Sequence, residues 1–172
     1  MYRRMLFIGL GGSGGKTLRF MKAGLNEWLE RHGWDEGIPT GFQFAHIDTP
    51  TEPDGKDVGD SSLITAGEYL GLVGKGISYD AVADSLDKSP TPELDLAGWR
   101  VEPANLMVSI QQGAGQYRAI GRSVGAAYLP QIKNFLRQSI GRINSVEAQP
   151  QLNKLYSSVT KKPIGAGGQS EP

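Results

Sequence analysis

The stretch from Phe7 to Phe20, "FIGLGGSGGKTLRF", carries five glycines in fourteen residues and includes Gly-Lys-Thr at Gly15 to Thr17. It continues the apolar run Met5 to Ile8 and leads into Leu18, Met21, Leu25 and Leu29, which recur at three- and four-residue steps. A short apolar run, a glycine cluster and a helical period read as a strand turning into a helix. The spacing predicts a strand over Met5 to Ile8 and a helix over Gly14 to His32, stopped by Gly33. Glycines in such a turn let backbone amides converge, because no Cβ forbids the dihedrals, and the helix amino terminus adds partial positive charge. In outline the stretch is an anion cradle, and its register decides which kind.

The Walker A spacing G-x-x-x-x-G-K-[ST] puts a glycine five residues before the one preceding lysine. Gly15, Lys16 and Thr17 fit its end, but that first position is Leu10. Moved out of register by one residue, different amides would face the phosphate, so this design is set aside. Lys16 then reads either as a phosphate contact one helical turn inside or, in preference, as a solvated surface lysine beside Arg19, and Thr17 as a first-turn hydroxyl satisfying backbone. The dinucleotide fingerprint G-x-G-x-x-G fits Gly9, Gly11 and Gly14 and expects an acid about twenty residues on, at the end of the next strand. Asp48 ends the next predicted strand but lies much farther along. That alternative, a dinucleotide (NAD or FAD) domain, stays open.

The rest of the chain frames these choices. A length of 172 residues with 38% apolar and 21% charged residues suits a domain with a real core. Lys plus Arg equals Asp plus Glu at 18 each, so no net field draws the chain to nucleic acid or an anionic membrane. The chain has no cysteine, and the apolar stretch after the basic start ends at Leu10, too short for a membrane span or a signal-peptide core. A cytoplasmic protein is expected.

"FQFAHID", Phe42 to Asp48, reads as a second strand ended by Thr49, Pro50 and Pro53. A strand, helix, strand order implies a parallel crossover, so both strands end on one edge, where open α/β sheets bind ligands. Short helices are expected at Ser62 to Leu72 and Tyr79 to Leu86, and a short strand or loop approach at Asn105 to Ile110. "QQGAGQYRAIGRSV" is a second glycine turn leading into a helix with Tyr117, Ile120 and Val124 on its apolar side. Pro130 should kink or restart that helix, with Ile132, Phe135, Leu136, Ile140 and Ile143 continuing the apolar face. Residues 1–150 are taken as the nucleotide-type domain, and 151–172 as a partly helical and then flexible tail.

Taken together, "GLGGSGG" before a helix, "HIDT" closing the second strand and "GAGQYRAIGR" opening a later helix resemble the amino-terminal half of the tubulin and FtsZ superfamily of GTPases. Within it they are closest to the bacterial tubulin-like branch. The likeness covers about Met5 to Leu129 and is weakest between Gly55 and Pro103. It implies an α/β domain with a Rossmann-like parallel sheet flanked by helices, present here as an incomplete, truncated tubulin/FtsZ-type GTPase domain. It also implies GTP or GDP with Mg2+, head-to-tail self-association, and hydrolysis in the full-length parent. Carried over by position, the nucleotide contacts are Gly11, Gly12, Ser13 and Gly14 in the first turn and Asp48 and Thr49 after the second strand. Gly113, Ala114 and Gly115 follow in the second turn, with Arg118, Gly121 and Arg122 in the helix behind it.

The family's later glycine and threonine loop, of the form GGGTGTG, does not occur in this sequence, and "GAGG" at Gly165 to Gly168 lacks its threonine. The distal acidic loop that activates water on a neighbour's nucleotide is likewise not found. No catalytic residue is assigned, and a non-catalytic scaffold stands as a third alternative. His32 and His46 lack metal-ligand spacing and read as a helix-end cation and a strand side chain. Trp28, Trp34 and Trp99 read as packing residues. No serine, histidine and acid set suggests a hydrolase triad.

Overall fold

The computed structural model describes residues 1–53, 64–88, 100, 101, 106, 109–114 and 117–160. In chain order they form β1 (Met5–Leu10), α1 (Gly11–Arg31), β2 (Phe42–Asp48), a one-turn 3₁₀ helix (Ala66–Glu68) and β3 (Tyr69–Gly71). Then come α2 (Tyr79–Lys88), a second 3₁₀ turn (Ile110–Gln112), α3 (Arg118–Ala127), α4 (Leu129–Ile143) and α5 (Ala148–Thr160). The strands pair in parallel in the order β1-β2-β3, with Gly9 opposite His46 and Asp48 opposite Gly71. This is the expected Rossmann-like parallel sheet flanked by helices.

The central strand β2 is covered on both faces, as parallel strands require. Its side chains alternate. Phe42 packs with Leu29, Trp34, Leu152 and Leu155, and Phe44 with Leu18 and Ile64, against α1 and α5. Ala45 and Ile47 join Val73 of the loop after β3 and Tyr79, Val82, Ile110, Ile120, Val124 and Phe135 of the helices that follow. Each fully buried Val, Leu, Ile or Phe among these contributes about 1.5–3 kcal/mol. Arg142 of α4 donates to Gln43 Oε1 at 2.6 Å and to the Gly67 carbonyl at 3.2 Å, tying that helix to the sheet. At the other end, Gln151 of α5 accepts from the Thr40 amide at 2.7 Å, and Gly41 leaves room for the Leu152 side chain.

Helix α1 begins at Gly11, three residues earlier than the spacing predicted. The glycines are not a loop before the helix; they are its first turn. Gly11 has φ of 68°, which swings the chain out of β1 at once. A Cβ on Gly9 would lie 2.5 Å from the Gly14 carbonyl oxygen, and one on Gly14 would lie 2.8 Å from the Gly9 carbonyl carbon. Backbone thus rests on backbone where strand meets helix. The inward face of α1 holds Gly15, Leu18, Lys22 and Leu29, whereas Met21, expected inside, is 41% exposed. Lys22 is tolerated there because Glu68 accepts from its ammonium at 2.5 Å.

The helix expected over Ser62 to Leu72 is corrected in its described part, where the 3₁₀ turn and β3 stand instead. Tertiary pairing with β2 overrides the local pattern, and Gly71 is needed because a Cβ there would run into the Pro50 and Thr51 backbone. Where a short strand or a loop approach was expected to end, Ile110 opens a 3₁₀ turn; Asn105 lies outside the described residues, as do Trp99, Gly115 and the tail 161–172 with its GAGG. Pro130 restarts the helix as expected, with Tyr128 closing α3 and Pro130 in the first turn of α4, where a missing N–H is harmless. Ile140 of that helix is 48% exposed and off the apolar face.

Two glycines of the same chain should therefore respond oppositely to a methyl group. Gly9→Ala is expected to destabilise by about 1–3 kcal/mol or more, since overpacking forces backbone apart. Gly24→Ala, in mid-helix with nothing within 4 Å of the added atom, should stabilise by up to about 1 kcal/mol. Denaturant unfolding of both variants measures this.

Candidate functional site

The carboxyl ends of β1 and β2 lie side by side, and the sequence puts a glycine turn after one and Asp48-Thr49 after the other. The first turn of α1 leaves its amides without intrahelical partners, as every helix does. Here no side chain among the described residues caps them: the preceding residue, Leu10, has no polar side-chain atom, and the first turn carries no acidic residue. Thr17 donates to the Ser13 carbonyl at 3.0 Å, so its hydroxyl serves the helix backbone. Lys16 is exposed, 6.0 Å from the Phe20 ring centroid, and lines neither cavity described below.

Two adjoining cavities open at this edge. One, of about 290 Å³, is walled by Gly11, Gly12 and Ser13, by Asp48 and Pro50, and by Gln112, Gly113 and Ala114. The second, of about 380 Å³, shares Gly11, Asp48 and Ala114 and adds the apolar Leu10, Ile47 and Ile132 together with Thr49, Gly121 and Arg122. Residues a hundred positions apart are brought to one cleft because α3 joins the buried cluster that includes Ala45 and Ile47 of the sheet. The second turn lies close to that helix at Gly121, where a Cβ would sit 3.7 Å from the Ala114 methyl, in ordinary contact. Gly113 has φ of 119°, a conformation open to glycine, which is what that turn demands of its sequence.

Asp48 is 9% exposed at the boundary of the two cavities. Its Oδ1 accepts from the Thr49 amide at 2.7 Å, the cap of a turn, while Oδ2 lies 3.7 Å from His46 Nε2, beyond hydrogen-bonding reach. Thr49 is 5% exposed, and its hydroxyl oxygen has no hydrogen-bond partner among the described residues. A buried hydroxyl without a partner is costly unless something else meets it.

Of the residues singled out from the sequence, Gly11, Gly12, Ser13, Asp48, Thr49, Gly113, Ala114, Gly121 and Arg122 line this pair of cavities. Gly14 does not; it lies beneath, against Gly9. Arg118, the first residue of α3, is exposed and outside both linings. Missed from the sequence was His46, which is fully buried beneath the first turn and donates to the Gly11 carbonyl at 3.1 Å. The signal was present in the alternation of "FQFAHID", which sets His46 on the same face as Phe42 and Phe44, toward α1. Two side chains away from this edge titrate abnormally: burial raises the Tyr2 phenol, helped by Tyr156, and a hydrogen bond from Arg100 lowers the Asp87 carboxyl.

Fold and cleft together define a Rossmann-like α/β protein with glycine turns at the carboxyl edge of a parallel sheet. A family model described as tubulin-like matches residues 6–164, and the chain belongs to that tubulin-like family. No curated protein and no solved structure matches it. Among the described residues no helix is long and apolar enough to cross a membrane.

The uncapped first turn makes a direct prediction. Ser13→Asp supplies the missing negative charge at an exposed site and should stabilise the chain by about 0.3–1 kcal/mol through the helix dipole. The same carboxylate should abolish any stabilisation by added pyrophosphate. Thermal unfolding of both proteins with and without pyrophosphate reads the two effects together.

Proposed function

We propose that the chain binds a guanine nucleotide, GTP or GDP, in this cleft. In this reading the phosphates lie against the first turn of α1 and against Gly113 and Ala114. The observation that carries it is the convergence of two distant glycine turns and Asp48 on one cavity, in a member of the tubulin-like family. The donor set suits a polyphosphate. Helix amides without a side-chain cap donate to anionic oxygen, the Thr49 hydroxyl lacks a hydrogen-bond partner among the described residues, and Arg122 brings a cation to the adjoining cavity. Guanine over other bases rests on family membership alone.

Magnesium would accompany the nucleotide, neutralising phosphate charge and favouring attack on the terminal phosphorus. Asp48 is the carboxylate placed to hold it, since one of its oxygens is committed to Thr49 and the other is not. This chain's own part is to align the phosphates on rigid amides and to shield them with the walls of the cleft. Head-to-tail assembly with further copies belongs to the same proposal, with hydrolysis in the full-length parent, in the cytoplasm, drawing an acidic loop from the neighbouring subunit. No residue of the present chain is assigned that step.

Calorimetry with GTP, GDP, ATP, NAD and FAD tests the reading. Binding of GTP and GDP, tightened by Mg2+ and preferred over ATP, is expected. Tight NAD or FAD binding without GTP binding would overturn it in favour of a dinucleotide domain, and no binding of any of the five would favour a non-catalytic scaffold. Gly113→Val should weaken GTP at least tenfold in a folded chain, because valine cannot hold the positive φ of that turn without strain of about 1–3 kcal/mol.

A further inference from the structure

His46 is fully buried, yet it touches neither cavity, and neither metal spacing nor a triad accounts for it. Its surroundings are built around the ring. A Cβ on Gly15 would overlap the imidazole Cε1 and both ring nitrogens, so the absence of a side chain at that position in α1 is what admits it. On the other side the Tyr69 ring meets it edge-on, with centroids 5.0 Å apart, and Tyr69 is itself fixed by donating to the Pro50 carbonyl at 2.6 Å. Held between helix and third strand, the ring presents Nε2 to the Gly11 carbonyl at 3.1 Å. A carbonyl only accepts, so the proton sits on Nε2.

We infer that His46 is a positioning residue for the phosphate cradle, one that fixes the Gly11–Gly12 peptide so that the Gly12 amide faces the cavity. The inference rests on the nucleotide reading above. In a planar trans peptide the carbonyl and the following N–H point in opposite directions. With the Gly11 oxygen drawn inward to His46, the Gly12 N–H is turned outward, and Gly12 lines the smaller cavity. Gly11 is the first residue of α1, so the helix already favours this orientation, but helix ends fray and both flanking residues are glycine, so sterics alone do little to hold it there. Reversed, it would set a carbonyl oxygen where an anion must bind. His46 thus selects one of two orientations without contacting ligand, and Gly15 is the vacancy in the helix that lets it do so.

The test compares wild type, His46→Val, His46→Gln, Gly15→Ala and the His46→Val/Gly15→Ala double variant for binding of GDP and of inorganic pyrophosphate, with circular dichroism as the control for folding. Loss of one neutral hydrogen bond predicts about three- to tenfold weaker binding in His46→Val. Gln, whose amide nitrogen can stand where Nε2 stood, should restore affinity to within about twofold of wild type on that scale. Gly15→Ala should weaken binding by displacing the ring, and should weaken it no further once the ring is gone. Unchanged affinity in a folded His46→Val chain, or an equal effect of Gly15→Ala in both backgrounds, would overturn the role and leave His46 as core filling. A wild-type chain that binds neither GDP nor pyrophosphate instead defeats the nucleotide reading itself. The peptide geometry has its own readout in that case: long-range ¹H–¹⁵N spectra should show the Nε2–H tautomer, and an Nδ1–H tautomer contradicts the arrangement.

Discussion

The structure depends on one contact, the backbone of Gly9 against the backbone of Gly14. It sets how close the end of β1 can come to the first turn of α1, and a single methyl group at either position would wedge them apart. Because they touch, the helix starts with no intervening loop, and Gly11, Gly12 and Ser13 of its first turn line the cleft. The same closeness brings Gly15 over His46 and Leu18 over Phe44, so the hydrophobic packing of α1 and the aim of its amino terminus are one geometric fact.

Parallel pairing does the rest. Register puts Gly9 beside His46 and Leu10 beside Ile47, which carries Asp48 and Thr49 to the edge where α1 begins. Pairing of Asp48 with Gly71 then anchors the loop after β2, through hydrogen bonds from the Leu72 amide to the Asp48 carbonyl at 2.8 Å and from the Val73 amide to the Thr49 carbonyl at 2.9 Å. Across the other sheet face, Ile120 and Val124 of α3 are fully buried, and their burial delivers the second glycine turn to the cleft. Each wall of the site is thus the end of an element that packs for hydrophobic reasons, and a cleft built this way is largely preformed before a ligand arrives.

Much of this was legible in the sequence where signals are local. The apolar run of β1, the alternation of β2, the helical period of α1 and the break at Pro130 each act over a few residues, and each element is found there, with β1 running on to Leu10 and α1 starting three residues early. The two glycine turns and Asp48 could be matched to a family because their order and contexts survive a poorly matched middle. What was not legible depends on distant partners. The three residues of β3 form a strand only through β2, and Gly71 looks like a breaker until the Pro50 backbone is seen across it. The helix start shifted because a glycine run reads as loop, whereas here Gly11 needs only one positive φ to enter the helix. Lys22 and His46 look like surface and generic strand residues respectively. Glu68 and the bare backbone of Gly15 make both burials tolerable.

The central claim is that both glycine turns serve one ligand. Amide chemical shifts of the ¹⁵N-labelled chain during titration with GDP and Mg2+ measure it residue by residue. Saturable shifts in parallel at Gly12, Ser13 and the Asp48–Thr49 amides and at Gly113 and Ala114, with a single dissociation constant, are the predicted result. Shifts confined to the first turn, with Gly113 and Ala114 unmoved at saturation, would contradict the account.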